Sequence, residues 1–427
     1  MTRNSAEAVV HFLRFSNDYA NSIDTFKSFS TRKWHHVLQW LDDAGLALYF
    51  LRKLKDTNCA DTIPAWALSR LAQNLLLNHE RVDDLSHRFD CLNHRFNDAG
   101  IRYVVLKGFS LVPQYCSDAS LRHQGDFDYL VGEQSLPAAQ RVLLEDEYQL
   151  KPQLSAQELI FVKPSMGAPS RNHQQYSARS PHAVELHLDI WDSEQHRLPA
   201  MKSLFSVNRT ITHQWGDLAF PVLTDDDAFL LQVLHACQHL FTYWIRMSSL
   251  FEISFFLTRH TSDSPLWNRI EQKAGDDPML RDFFVIITEL ATKLFAAPVP
   301  RLTYEWSQQI RPATRIWIEN YARNCAFCEM PAHEFDLFPR AKLVLFLLEQ
   351  YKGDRFREDA VRKRLIAPSR FSRIALSIKE KPSLVWNLNW WKRQMLIRRS
   401  LFHALSGLRY FFEIPRWRWL NRASSAS

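Results

Sequence analysis

Apolar residues recur mostly at intervals of three and four over the first 100 positions of the chain. This spacing is typical of amphipathic helices, because residues three and four apart share one helix face. The same spacing returns after Leu223, where Thr224 and the three aspartates that follow it predict a helix start. Helices are predicted over 228–257, 280–295, 313–330, 338–351 and 386–412.

Between these regions the pattern changes to short β-branched and alternating runs, which predict strands. The clearest are 101–108, 126–131 and 183–190, with weaker candidates at 159–162 and 174–178 and a helix at 137–148. Alternation in 183–190 places four apolar side chains on one face of the strand. The opposite face carries Glu185, His187 and Asp189.

The order of these elements predicts an α+β protein that is predominantly helical, with a small mixed β-sheet core between N-terminal and C-terminal helical regions. Ten glycines against 29 Phe and 14 Trp agree with a helix-dominated chain. We expect an N-terminal helical region at 1–100, the core at 101–222, a C-terminal helical domain at 223–370 and a basic, Trp-rich helical tail at 371–427.

Composition excludes two broad classes of protein. With 46% hydrophobic residues the chain can bury a real core, so it is not mainly disordered. No apolar run approaches the roughly 20 residues of a membrane-spanning helix, and the N-terminus lacks a secretion signal. Six scattered cysteines fit a reducing compartment, so the expected location is the cytoplasm.

Two acids in the core suggest chemistry. Asp126 and Asp128 are separated by one residue on a predicted strand, so both carboxylates project from the same face. Such carboxylates repel each other unless a cation lies between them, and Mg²⁺ prefers hard oxygen ligands. A third carboxylate would complete a two-metal site, and Glu185 is the best candidate, with Asp189 as its competitor.

Cationic and glycine-containing positions flank this pair. Gly108 and Ser110 follow the first strand, where glycine permits close backbone approach and the serine and amides could hold phosphate. Lys107 and Arg122 could neutralise phosphate charge. The alternatives are a solvated strand end for Lys107 and an ion pair with Asp118 for Arg122.

With these residues in view, the sequence resembles the polymerase-β-like nucleotidyltransferase superfamily, whose pattern is a strand ending in Gly and Ser, a short helix, Asp-x-Asp and a later acidic strand. It looks most like a bacterial family described as uncharacterised nucleotidyltransferases. The resemblance covers residues 30–260, although 108–126 is longer than in compact members and lacks an adjacent Gly-Ser pair. The matching segments are Leu106-Lys-Gly108, Leu121-Arg122, Gly125-Asp-Phe-Asp-Tyr-Leu-Val131, Glu185-Leu-His187 and Leu234-His-Ala-Cys-Gln-His239.

The resemblance implies metal-dependent transfer of a nucleoside monophosphate from an NTP such as ATP, CTP, GTP or UTP, with pyrophosphate leaving. The acceptor could be a small molecule, a protein hydroxyl or an RNA end. Two Mg²⁺ ions, with Mn²⁺ as an alternative, are expected on the catalytic residues Asp126, Asp128 and Glu185. The nucleotide-binding residues are then Lys107, Gly108, Ser110 and Arg122. A catalytically inactive binding or scaffold protein with the same fold is the alternative from another class.

Three histidines are accessory candidates. His187 shares the acidic face and could orient a carboxylate, act as a base or bind phosphate, or it could be a structural, half-buried residue. His235 and His239 are four apart on one helix face, a spacing that suits zinc when a third ligand exists. Packing or lining of an acceptor pocket is the favoured interpretation. Cys325 and Cys328 are interpreted as helix-packing residues.

The tail concentrates the positive charge. From residue 351 onward the chain has 18 Lys or Arg against 5 Asp or Glu, while the net charge of the whole chain is only +7. Five tryptophans lie among these cations. The tail could stack on nucleic acid or touch an anionic membrane surface. The simpler alternative is a closing helix whose Trp face packs on the domain and whose basic face is solvated.

Overall fold

A computed structural model of the chain describes residues 3–16, 18–152, 157–163, 174–191, 193, 201, 203–328, 339–351 and 390–425. Helices precede the sheet, as the apolar spacing predicts. Ser30 caps the third helix by accepting a hydrogen bond from the Lys33 amide at 3.3 Å. The helices are α1 (Arg3–Phe12), α2 (Ala20–Lys27), α3 (Thr31–Ala44), α4 (Ala47–Asp56) and α5 (Ala65–Asp98).

The core is one mixed sheet of seven strands in the part of the chain that the structure describes, in the order β3-β4-β5-β2-β1-β7-β6. The central strand β2 pairs parallel with β5 and antiparallel with β1. The strands are β1 (Tyr103–Val105), β2 (Asp126–Val131), β3 (Gln149–Leu150), β4 (Glu158–Val162), β5 (Ala183–His187), β6 (Thr210–Trp215) and β7 (Leu218–Leu223); helix α6 (Leu136–Glu145) joins β2 to β3.

Two strand predictions need correction, and one hairpin was not predicted. The first strand is shorter than predicted, and residues 174–178 do not form a strand, because Gln174–Tyr176 is a single 3-10 turn. There the Tyr176 hydroxyl donates to Asp42 Oδ1 at 2.9 Å, a tertiary bond that local alternation does not reveal. The sequence reading also missed the hairpin of β6 and β7, which turns at Gly216 with φ +56°.

The two faces of the sheet are covered by different helices. Helix α5 lies on one face, where Phe89 contacts a group of aromatic rings from the strands and loops: Phe109, Phe127, Tyr129 and Phe220. The opposite face packs part of its surface against α7 (Asp225–Phe241), through a small cluster comprising Val104, Leu106, Leu130, Leu223 and Leu231. The rest of that face carries charged side chains.

After the sheet the chain is helical again. The long helix predicted from Ala228 is interrupted at 242–246, where Tyr243 adopts φ +76°, and α8 follows. The remaining helices are α8 (Met247–His260), α9 (Ser264–Ala274), α10 (Pro278–Phe295), α11 (Arg301–Ser307), α12 (Pro312–Trp317), α13 (Arg323–Ala326), α14 (Val344–Leu348) and α15 (Trp390–Ser425).

The fold class predicted from the sequence is confirmed: the protein is α+β and predominantly helical, with a mixed sheet at its core. One continuous apolar cluster runs from Val9 in the first helix to Trp417 in the last. The division into four regions stays a prediction. No helix among the described residues combines the length and apolarity that crossing a membrane would require.

Candidate active site

The parallel pairing of β2 with β5 sets the geometry of the acidic site. Asp128 lies directly opposite Glu185, and Asp126 lies opposite Ala183. Because side chains alternate along a strand, Asp126 and Asp128 point to the same face of the sheet. In-register residues of neighbouring strands share a face, so Glu185 joins them. The three predicted acids therefore share one face of the sheet, although Asp126 does not belong to the group of side chains whose ligand atoms lie close enough to hold one ion.

Three side chains are close enough to hold a single ion. One ligand atom from each of Asp128, Glu185 and His187 lies within 4.8 Å of the other two. His187 Nε2 is 3.1 Å from Asp128 Oδ1. The other oxygen of Asp128, Oδ2, is buried and has no hydrogen-bond partner among the residues that the structure describes. A buried, unpartnered carboxylate oxygen is unusual in proteins and suits a cation ligand.

Burial and mutual repulsion raise the pKa values of two of these acids, whereas neighbouring cationic and hydrogen-bonding groups lower that of the third. Burial and the neighbouring Asp128 carboxylate raise the pKa of Asp126. Burial, together with Asp128 and Asp126, raises the pKa of Glu185 well above its ordinary value. Burial alone would raise the pKa of Asp128, but the Lys107 ammonium and the His187 hydrogen bond bring it well below that value. The site therefore concentrates negative charge that a cation would stabilise.

Lys107 is part of the site. Its Nζ lies 2.7 Å from Asp128 Oδ1, and only 14% of its side chain is exposed, so the alternative of a solvated strand end is wrong. Burial would lower the pKa of Lys107, but the carboxylates of Asp128, Asp126 and Glu185 raise it. The ammonium group therefore stays charged and forms an ion pair with Oδ1 of Asp128, the oxygen that also contacts His187.

Arg122 is ion-paired, but its partner differs from the expected Asp118. Arg122 Nε lies 3.1 Å from Glu252 Oε1 in α8, and the same oxygen accepts a hydrogen bond from Tyr49 at 2.9 Å. Asp118 instead accepts from the Ser120 amide. Because Glu252 neutralises much of its charge, Arg122 is less available to a phosphate than the sequence alone indicates.

A second arginine lies beside this pair. Burial, and then the nearby Arg122, lowers the pKa of Arg246, while Asp126 opposes that effect. Arg246 Nη2 is 3.1 Å from His123 Nδ1. Its Nε is buried and has no hydrogen-bond partner within the described part of the chain. Arg246 is thus a cation near Asp126 whose Nε packs closely against Gly45, where a Cβ atom would lie 2.7 Å from it.

Polar residues of α5 hold the loops that deliver these side chains. Asn78 Nδ2 donates to the carbonyls of Ser120 and Arg122 at 2.7 and 3.1 Å. The Arg81 guanidinium donates to the carbonyl of Gln124, and further donates to the carbonyls of Ser177 and Ser180 before β5. One buried arginine therefore fixes the approach to both acidic strands.

Gly108 and Ser110 lie in a single 3-10 turn after β1. Gly108 has φ +72°, and a Cβ atom there would lie 2.4 Å from Gln124 Nε2. The close approach that glycine permits is thus to Gln124, which in turn donates to the Asp126 carbonyl at 3.1 Å. Ser110 is half-buried in the same turn.

The other candidates fall in different places. Asp189 lies beyond the end of β5, where its Oδ1 accepts from the backbone amides of Ile190 and Trp191. His235 Nε2 is 3.4 Å from Lys107 Nζ and 3.1 Å from His239 Nε2. Burial and the Lys107 charge lower the pKa of His235, so it stays neutral. The group of three side chains in the described residues that could hold a metal ion does not include this histidine pair.

Sequence reasoning missed three residues of this region. Glu158 is directly opposite His187 on β4, with its Oε1 3.8 Å from His187 Nδ1. Glu252 and Arg246 come from α8 and the loop before it. The four consecutive apolar residues after Glu158 predicted a strand without indicating which face Glu158 uses, and nothing local marks Glu252 or Arg246.

The arrangement of acids on adjacent parallel strands, with buried cations beside them, defines a site of the nucleotidyltransferase type. A family model described as uncharacterised nucleotidyltransferase matches residues 30–296 of the chain. The chain therefore belongs to that family, and its enzymatic class is nucleotidyltransferase. A comparison with curated protein sequences finds no match.

Proposed function

We propose that this enzyme transfers a nucleoside monophosphate from an NTP to an acceptor hydroxyl, with Asp126, Asp128 and Glu185 as the metal-binding catalytic residues. The observation that carries the proposal is the opposition of Asp128 and Glu185 on paired strands, with Asp126 on the same face. In the reaction, the acceptor oxygen bonds to the α-phosphorus, the bond to the bridging oxygen breaks, and pyrophosphate leaves. The acceptor proton passes to solvent.

The donor set fits Mg²⁺. Three carboxylates supply the hard oxygen ligands that this ion prefers, and Asp128 Oδ2 is the buried oxygen still without a partner among the described residues. When bound, two such ions would neutralise the triphosphate and activate the acceptor oxygen. Because His187 supplies nitrogen, we assign it the role of orienting Asp128 through Oδ1. Mn²⁺ is the alternative ion.

The cations would hold the nucleotide. Lys107 keeps Asp128 oriented and adds positive charge beside the acids. We propose that Arg246 contacts the triphosphate more directly than Arg122, whose charge is paired with Glu252. Gly108 would act indirectly, because the absence of a side chain leaves room for Gln124. The Ser110 hydroxyl would donate to a phosphate oxygen. His235, which contacts Lys107, would line the nucleotide site together with His239.

Calorimetry with each of ATP, CTP, GTP and UTP, with Mg²⁺ and then with EDTA, tests this proposal. We expect binding of at least one NTP that requires the metal. Asp126→Asn and Asp128→Asn should each abolish it, and Arg246→Gln should weaken it about tenfold, the loss of one charge-assisted contact. Glu133→Gln, an acid on the exposed turn after β2, is the matched control and should bind normally.

Binding of no NTP by the parent protein would contradict the proposal and favour the scaffold alternative. Binding that survives EDTA and both aspartate substitutions would contradict the metal site. If binding behaves as expected, incubation with that labelled NTP and a lysate should produce an adduct larger by one nucleotide. The identity of the adduct then distinguishes a small molecule, a protein hydroxyl and an RNA end.

A further inference from the structure

The helix α15 presents two different apolar faces. Its inner face, comprising Phe402, Tyr410 and Trp417 with the polar His403, Ser406 and Glu413, is buried. Phe346 stacks on both Tyr410 and Trp417, and the Tyr410 hydroxyl donates to Glu349 at 2.6 Å. The tail was expected, in one alternative, to be a closing helix with a Trp face packed on the domain. The structure agrees with that part, because an aromatic face of α15 packs on the domain.

The outer face differs from that expectation, because it is apolar where a solvated basic face was expected. Six of the thirteen large hydrophobic side chains that are exposed in the described residues lie on α15. Exposure reaches 71% at Phe412 and 66% at Trp419. This outer stripe consists of Ile397, Leu401, Leu408, Phe411, Phe412 and Trp419.

Helix geometry shows that these residues form one continuous line. Successive members are separated by four, seven, three, one and seven residues, so at about 3.6 residues per turn they share one side of the helix. That side is opposite the buried face. At 1.5 Å per residue the stripe is about 33 Å long. An exposed apolar surface of this length indicates an interaction site.

The charges beside the stripe identify the kind of partner. Arg398, Arg409 and Arg416 follow one of its borders, and Arg418 and Arg422 follow the other. The only acid in the helix is Glu413, which is buried and paired with Arg409 and Arg416. Two copies of this surface would bring arginines together, which disfavours a second copy of the chain. Aliphatic members such as Leu401 and Leu408 cannot stack on nucleic-acid bases.

We infer that the outer stripe of α15 docks on an anionic membrane surface. The apolar residues would enter the boundary between headgroups and acyl chains, and the arginines would contact lipid phosphates. Phe412 and Trp419 supply the aromatic rings that favour this interface. The helix would lie in the plane of the surface while its inner face stays on the protein.

Flotation of the full chain with lipid vesicles tests the inference. One set of vesicles is pure phosphatidylcholine, and the other is an equal mixture of phosphatidylcholine and phosphatidylglycerol. We expect binding to the mixed vesicles that is at least about tenfold tighter than to the neutral ones, because each arginine near an anionic surface contributes severalfold. Added salt should weaken binding, as screening requires.

Two pairs of substitutions separate the apolar and charged contributions. Phe412→Ser with Trp419→Ser should abolish flotation, and Arg418→Gln with Arg422→Gln should weaken it about tenfold or more. The matched control is Tyr304→Ser, which alters a side chain 69% exposed on a different helix and should bind like the parent. Thermal melts establish that each variant is folded.

Several outcomes would overturn the inference. Equal binding to both kinds of vesicle would remove the charge recognition. Failure of the parent to float, with a dimer in sedimentation that Phe412→Ser and Trp419→Ser dissociate, would assign the stripe to a second copy. Failure to float as a monomer would mean that another part of the chain covers it. Tighter binding to single-stranded RNA than to mixed vesicles would make nucleic acid the partner.

Discussion

Strand β2 presents two opposite environments on alternate residues. Phe127 and Tyr129 point towards α5, where both rings pack against Phe89. Asp126 and Asp128 point the other way, towards Glu185, Lys107 and the buried arginine of the loop before α8. The same six-residue strand therefore belongs to an aromatic core on one side and to a concentration of charge on the other.

The two faces differ in how they affect the stability of the fold. Packing stabilises the aromatic face, because each of its aromatic side chains is at most 2% exposed. The charged face holds carboxylates whose pKa values are raised by burial and by each other. Such a face stays assembled because the rest of the fold holds it, which is typical of functional sites.

Removing the central ring of the aromatic face should have the largest effect. Phe89→Ala deletes a side chain that is 1% exposed and contacts four other rings, so we expect a loss of about 4 kcal/mol in the free energy of unfolding. Urea denaturation measures it. Leu76→Ala, at a 54% exposed position of the same helix, is the control and should change stability by less than about 0.5 kcal/mol. A small loss for Phe89→Ala would contradict the assignment of this face.

A buried histidine on the aromatic face should make stability depend on pH. His182 contacts Phe127 and lies 2.7 Å from the Tyr148 hydroxyl. Burial, followed by the charge of Arg88, lowers the pKa of His182 from 6.5 to about 4. As the pH falls below 6.5 the unfolded chain takes up this proton first, so stability present above 6.5 is lost progressively towards pH 4.

The expected size of this loss is about 3 kcal/mol, from the difference between the two pKa values. It is measured by urea unfolding between pH 7 and 4 in the parent and in His182→Gln, which keeps an acceptor for Tyr148. The parent curve should fall more steeply than that of the variant. Parallel curves would show that His182 is not buried in its neutral form.

Removing an acid from the charged face should raise the free energy of unfolding. Glu185→Gln removes a carboxylate whose pKa is raised well above its ordinary value, so its ionised form costs stability at neutral pH. We expect the variant to be about 1 kcal/mol more stable in EDTA at pH 8. Metal-dependent NTP binding should fall at least about tenfold. A variant that is clearly less stable, with normal binding, would make Glu185 a structural residue.

The sequence could predict the elements whose signal is local. Strand Asp126–Val131 and the helix starting at Asp225 follow from alternation and from helical spacing with acids in the first turn. The hairpin at Gly216-Asp217 also has a local signal. A Gly-Asp dipeptide between two strands is typical of a tight turn. It could have been predicted.

Tertiary neighbours were beyond local reasoning. In the sequence, Glu185 and Asp189 lie on the same face of one alternating run. In the structure β5 ends at His187, so Glu185 lies in the sheet and Asp189 lies in the turn that follows it. Glu252 is 130 positions from Arg122, and no spacing rule links them. Asp118 was considered as the partner of Arg122 because it is close in sequence, but the partner in the structure is the distant Glu252.

Electron paramagnetic resonance of bound Mn²⁺, with and without NTP, is the sharpest test of a metal site on β2. We expect saturable binding by the parent, strengthened by nucleotide. Asp128→Asn should lose it, while Phe127→Leu, the neighbouring residue on the other face of the strand, should keep it. Equal binding by Asp128→Asn and the parent, or no binding by the parent at all, would contradict a metal site on the charged face of β2.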